Sequence, residues 1–138
     1  MIVDVSSAAQ VDLLRQATLR FCGTDQVAAF AEAPGTLAFV SLRGSKEVIG
    51  WCWGYHLVRP DAPSMLYLHE LEVADELRRQ GHGRSLLEAF MVAGKKAAAT
   101  KMFLSTAETN GAARRLYDSM GGALATQGPT VNYWFQLH

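Results

Sequence analysis

The residues with the clearest chemical potential form one run, Arg78-Arg79-Gln80-Gly81-His82-Gly83-Arg84, placed where an apolar strand pattern gives way to a helical one. A helix start leaves backbone N–H groups without partners and carries a partial positive charge. Gly81 and Gly83 present no side chain, so a phosphate can approach that backbone closely. Arg78, Arg79 and Arg84 add positive charge around it. Each charge-assisted hydrogen bond to such an anion contributes roughly 1.5–3 kcal/mol, and several would hold a pyrophosphate. Other phosphate motifs fit poorly. The G-x-x-x-x-G-K-[ST] pattern is absent, and Leu86 stands where a dinucleotide fingerprint needs its third glycine. Taken alone, the run is equally a plain glycine-containing helix start with surface arginines.

The elements that must position this run follow from periodicity. Ile2–Val5 reads as a short strand, and Ser7-Ala8-Ala9-Gln10 as a capping box for a helix running toward Phe21. A second helix is expected over Gln26–Ala33, before Pro34-Gly35. Leu37–Leu42 and Val48–Leu57 read as a hairpin turning at Arg43-Gly44-Ser45-Lys46. In its second strand Ile49, Trp51, Trp53 and Tyr55 alternate with Gly50, Cys52, Gly54 and His56, giving a bulky face and a small one. Met65–Val73 is a further strand. The helix after the glycine run extends to about Ala98, with Leu86, Leu87, Phe90, Met91, Gly94 and Ala97 as its apolar stripe. Lys101–Ala107 reads as a strand and Asn110–Met120 as a helix ended by Gly121-Gly122. Val131, Tyr133, Phe135 and Leu137 alternate in a last strand. The pattern β-α-α-β-β-β-α-β-α-β-β mixes hairpins with β-α-β units, so the expected fold is α+β with a mixed sheet.

At 138 residues the chain is expected to be a single domain spanning 1–138 with a real core. Its formal net charge of zero argues against a general nucleic-acid binder. No apolar run approaches the roughly 20 residues of a membrane span, and no signal peptide is evident. Cys22 and Cys52 lack metal-ligand spacing and read as two buried thiols in a reducing cytoplasm. No metal is expected.

Two motifs in register carry a family resemblance. Arg78-x-x-Gly81-x-Gly83 after Leu71-Glu72-Val73 resembles the acetyl-CoA motif of the GCN5-related N-acetyltransferases (GNAT). Asn110-Gly111-Ala112-Ala113-Arg114-Arg115-Leu116-Tyr117, followed by Gly121, resembles that family's N-x-x-A-x-x-L-Y-x-x-x-G. The stretch Tyr67-Leu68-His69-Glu70-Leu71-Glu72-Val73, with Gly121-Gly122 and the short length, is similar to the type I aminoglycoside 3-N-acetyltransferases.

The resemblance implies a central mixed, mostly antiparallel sheet flanked by helices, with acetyl-CoA as cofactor. Leu71 and Val73 would pair with the pantetheine arm, and the backbone from Arg79 through Gln80, Gly81, His82 and Gly83 to Arg84 would hold the pyrophosphate. Asn110 would bond the cofactor and Tyr117 would face its sulfur. It also implies direct acetyl transfer in a ternary complex to an amine of an aminoglycoside, the 3-amino group, giving antibiotic resistance. A homodimer is a family-level analogy. The rival readings are another small polyamine or a peptide α-amine as acceptor, and a CoA-binding module with little catalysis.

Such a transfer needs a neutral amine. An alkylammonium with a pKa near 10.4 loses roughly 4 kcal/mol or more in giving up its proton at pH 7, so a base is useful. The candidates are Tyr67, His69, Glu70 and Glu72. Strict alternation puts Tyr67, His69 and Leu71 on one face and Leu68, Glu70 and Glu72 on the other. In the family this strand usually carries a bulge, which would shift that parity and turn Glu70 toward the cleft. Glu70 ranks first as base and His69 second. Glu72 reads as a solvated strand residue, and Trp51, Trp53 and Tyr55 as sheet core. Tyr117 would donate to the leaving thiolate, whose pKa is about 8.5.

Overall fold

A computed structural model describes residues 1–125 and 128–137. The chain divides into two compact units, Met1–Thr106 and Ala107–His138.

The first unit is built on a five-stranded sheet in the order β1-β2-β3-β4-β5. The strands are β1 (Ile2–Asp4), β2 (Thr36–Arg43), β3 (Glu47–Leu57), β4 (Met65–Val73) and β5 (Lys101–Leu104). All neighbours are antiparallel except β4 and β5, which are parallel. The sheet is therefore mixed and mostly antiparallel, as expected. Helices α1 (Val11–Cys22) and α2 (Ala28–Glu32) follow β1, and α3 (His82–Lys96) links β4 to β5. Among the described residues no helix is long and apolar enough to cross a membrane.

The alternation in β3 sorts the two faces of the sheet. On the bulky face Trp51 stacks on Phe21 of α1 at 6.2 Å between ring centroids. It joins Leu14, Ala17, Val40 and Val48 in the main apolar cluster. On the small face lies α3, whose Leu86, Leu87 and Phe90 are buried. Each such side chain contributes roughly 1.5–3 kcal/mol through burial. A side chain at Gly54 would run into the Tyr67 carbonyl and come within 2.9 Å of Phe90 Cζ. One at Gly94 of α3 would run into Leu66. These two glycines let α3 lie close on the sheet, which fixes where its N-terminus ends up.

Several expectations need correction. The Ser7 side chain caps nothing; Ala8–Gln10 form a 3-10 turn instead, closed by Gln10 N–H donating to the Ser7 carbonyl at 3.1 Å. Cys22 is exposed, because α1 ends there and Gly23 turns the chain away at φ 72°; only Cys52 is buried.

In the second unit, α4 (Gly111–Ser119) is capped by Asn110, whose side chain accepts from the Ala113 N–H at 3.2 Å. Ala113, Leu116, Tyr117 and Met120 are half-buried along it. No strand follows α4 among the described residues. A strand needs a partner ladder, and alternation alone does not supply one. Val131, Tyr133, Phe135 and Leu137 stay 76–94 % exposed, with Tyr133 and Phe135 stacked only on each other.

Gly54→Ala is expected to cost about 3 kcal/mol of stability by overpacking against backbone. Gly44→Ala, in a turn with open space around it, should cost about 1 kcal/mol through its positive φ alone. Urea unfolding of both variants checks the contrast.

Candidate active site

Beyond Val73 the chain makes a short 3-10 turn, Asp75–Leu77, pinned by Ala74 N–H donating to the Ile49 carbonyl at 2.9 Å. Arg78 is extended, Arg79 is left-handed at φ 65°, and Gly81 is left-handed at φ 87° as the N-cap of α3. Left-handed residues set between ordinary ones turn successive N–H groups inward, forming an anion-binding concavity. Arg79 is not a glycine, so its left-handed backbone is a local strain of the kind that concentrates at ligand sites. The space above Gly81, where a Cβ would project, is open. The first helical bond runs from the Ser85 N–H to the Gly81 carbonyl at 3.0 Å, so the preceding N–H groups have no acceptor within α3. His82 is tied to buried Ser41, with Nδ1 and Oγ 3.5 Å apart. The Arg78 guanidinium is engaged with Asp75 at 2.8 Å, while Arg79 is exposed. Glycines, backbone and Arg79 thus fit a pyrophosphate.

Beside this loop, β4 parts from β5. Their pairing ends at Leu68 opposite Leu104, whereas β4 continues to Val73. The stretch from His69 to Val73, with Leu71 and Val73 in it, therefore has no strand paired to it on its β5 side among the described residues. An extended amide-bearing arm can add there as a strand would.

The β3–β4 register decides where the acids go. Tyr55 pairs with Tyr67, then Trp53 with Glu70 and Trp51 with Glu72. His69 has no opposite residue and forms a β-bulge. The bulge shifts parity, so Tyr67, Glu70 and Glu72 share the bulky face with the two tryptophans. Trp53 Nε1–H donates to Glu70 Oε2 at 3.0 Å. His69 lies over Trp53 at 4.4 Å between centroids, and its Nδ1 is 3.2 Å from the Tyr67 hydroxyl. Phe30 meets Trp53 edge-on at 5.6 Å.

Glu72 is half-buried rather than solvated. Burial raises its pKa, and the neighbouring Glu70 raises it further. Trp53 is likewise a wall of this face and a carboxylate partner, not only core. Pairing the tryptophans of β3 against the glutamates of β4 across the hairpin could have revealed both from the residues alone. Burial holds the Cys52 thiol up at about 12. Cys22 is also raised, by burial first and then by Glu70 and Glu72. Neither is poised as a thiolate nucleophile.

The phosphate loop, the unpaired edge along Leu71–Val73, Glu70 and His69 thus come together in the first unit. Asn110 and Tyr117 belong to the second, where they lie two helical turns apart along α4. No metal-binding cluster exists among the described residues.

Comparison with known proteins gives this geometry a lineage. No curated sequence matches the chain. Among solved structures, the chain resembles an aminoglycoside acetyltransferase, meta-AAC0020, from an uncultured soil metagenomic sample in complex with sisomicin. The TM-score is 0.83 at 16% identity, covering 100% of this chain and 96% of that one. Aminoglycoside N-acetyltransferase AAC(6')-Iy, in complex with a CoA-based bisubstrate analog, gives 0.76 at 15%, covering 99% and 98%. Ribosomal-protein-alanine N-acetyltransferase from Brucella melitensis biovar Abortus 2308 gives 0.74 at 13%, covering 96% and 98%. At such identities the likeness speaks for the fold alone. Residues 9–121 match the acetyltransferase (GNAT) family. With a strained anion loop at the head of α3 and an unpaired edge on β4, the chain belongs to the acetyltransferase (GNAT) family, whose enzymes use acetyl-CoA.

Proposed function

We propose that the chain acetylates a primary amine of an aminoglycoside, at the 3-amino group, by direct transfer from acetyl-CoA. The observation that carries the acceptor class is Glu70, half-buried on an aromatic face, hydrogen-bonded to Trp53 and in no ion pair among the described residues. A carboxylate so placed suits a polycationic acceptor. The choice of the 3-amino group rests on the likeness of Tyr67–Val73 and Gly121-Gly122 to the type I enzymes. The single domain of that family, spanning 1–138, is part of the same reading, as is a resistance role in the cytoplasm.

The donor supplies an acetyl group activated as a thioester. The chain's residues do the rest. The backbone from Arg79 to Arg84 holds the pyrophosphate, and the β4 edge at Leu71 and Val73 aligns the pantetheine arm. Glu70 keeps one oxygen on Trp53, which fixes its orientation, and accepts the ammonium proton on the other. His69, exposed over Trp53 and 3.2 Å from the Tyr67 hydroxyl, is the alternative base. The freed amine nitrogen then forms the C–N bond as the C–S bond breaks. By its family motif Tyr117 supplies the proton that the departing sulfur takes up and is reprotonated by the second proton that the acylated nitrogen sheds, and Asn110 bonds the cofactor. Raised thiol pKa values at Cys22 and Cys52 speak against an acetyl-enzyme.

A second reading, a peptide α-amine as acceptor, is favoured only by the likeness to a ribosomal-protein-alanine acetyltransferase. Thiol release measured across aminoglycosides, polyamines and peptides separates the two, and mass spectrometry with NMR of the product locates the acetyl group. Activity confined to peptides contradicts the proposal.

Gly81→Val should weaken acetyl-CoA binding at least about tenfold, or ~1.4 kcal/mol, because a β-branched residue resists φ 87°. Unchanged affinity by calorimetry would remove the loop from cofactor binding. Glu70→Gln should lower kcat by about 10²–10⁴-fold, the usual range for a lost acid–base group, at unchanged acetyl-CoA Kd. Tyr117→Phe should slow transfer more than it weakens binding, and equal rates would leave it a packing residue.

A further inference from the structure

Glu72 repeats, two pairs further along the hairpin, the setting of Glu70. Trp51 stands opposite Glu72 as Trp53 stands opposite Glu70. The second pair closes its hydrogen bond and the first does not. Trp51 is only 3% exposed, yet among the described residues its indole N–H has no acceptor, and Glu72 Oε2, also buried, has no donor. The indole lies near enough to favour the charged carboxylate without reaching hydrogen-bond geometry. Residues two apart on one strand face are about 7 Å apart, so two carboxylates stand side by side.

Among the described residues no lysine or arginine pairs with either acid. Arg78 acts on Glu72 from beyond the end of β4, but its guanidinium is bound to Asp75, which itself opposes Glu72 ionising. From α1 the only titrating group facing the pair is Cys22, whose thiol both acids raise. A half-buried pair of like charges with no cation is unfavourable. Within the first unit the indoles and Arg78, itself bound to Asp75, offset it only in part, whereas a ligand carrying two cations would neutralise both acids. The rings of Trp53 and His69 beside the acids offer π faces for the same cations.

We propose that Glu72 is a specificity-determining residue that holds a second ammonium of a diamine acceptor while Glu70 serves the amine that reacts. The proposal rests on the amine-acetylating reading above. It requires that a diamine bind through both acids and a monoamine through Glu70 alone.

The test compares cis-1,3-diaminocyclohexane with cyclohexylamine in wild type, Glu72→Gln and Glu72→Asp. Thiol release gives kcat and KM, and calorimetry with CoA present gives Kd. Glu72→Gln should raise KM and Kd for the diamine about tenfold, the scale of one charge-assisted hydrogen bond. It should keep kcat and leave the monoamine unaffected, and Glu72→Asp should recover part of the loss. Glutamine should also not harm the fold. Glu72 has a raised pKa in the native state, so the stability linked to its protonation is present below the ordinary carboxylate pKa and lost as pH rises through the raised value. Glu72→Gln should therefore unfold at a Tm equal to or above wild type at pH 7, with the gain vanishing in acid.

Equal losses for both amines, a fall in kcat at unchanged KM, or no change overturns the proposal. Glu72-dependent diamine binding without thiol release supports Glu72 and contradicts the acetyl-transfer reading of the acceptor. Turnover indifferent to Glu72 does the reverse, and neither binding nor turnover overturns both.

Discussion

The site depends on a single break in register. Between Trp53 and Gly54 the β3–β4 ladder skips His69, and every acid that follows changes face. Without that bulge Glu70 and Glu72 would point into the glycine-lined side that α3 covers, where Leu86 and Phe90 leave no room for charge. With it, they face the tryptophans. The bulge also leaves His69 exposed over Trp53, where a proton can exchange with water. One extra residue thus sets both which carboxylates face the tryptophans and what surrounds them.

The glycines opposite complete the geometry. Gly54 and Gly94 let α3 lie close on the small face, and the head of α3 then falls beside the end of β4. The anion loop and the open edge of β4 are therefore products of the same packing. Strain at Arg79 is held by that frame: the Ala74–Ile49 bond on one side and the His82–Ser41 contact on the other. The shape of the glycine loop and the placement of the carboxylates are two consequences of one close-packed strand-and-helix pair.

Much of this was legible in the residues. The alternation of Trp51, Trp53 and Tyr55 with small residues predicted two unlike faces, and the glycine run predicted a helix start. Asn110 is of a residue type that caps helices, and the structure shows it as a cap. What failed was whatever depends on a partner outside the local pattern. The alternation at Val131–Leu137 promised a strand, but no ladder partner receives it among the described residues. Ser7 had the right neighbours for a capping box, and the 3-10 turn took its place. Glu72 looked solvated because alternation in one strand says nothing about what the next strand sets against it. Cys22 looked buried because its type usually is.

The central claim is that the amine acceptor binds on the face shared by Trp51, Trp53, Glu70 and Glu72. The chain has three tryptophans, Trp51, Trp53 and Trp134, so an indole ¹⁵N–¹H spectrum reports on that face with few signals. Titrating an aminoglycoside into the CoA-bound protein should shift the Trp53 indole resonance strongly and Trp51 with it, and Glu70→Gln should abolish the Trp53 response. Saturable binding that leaves both resonances unmoved would contradict the account.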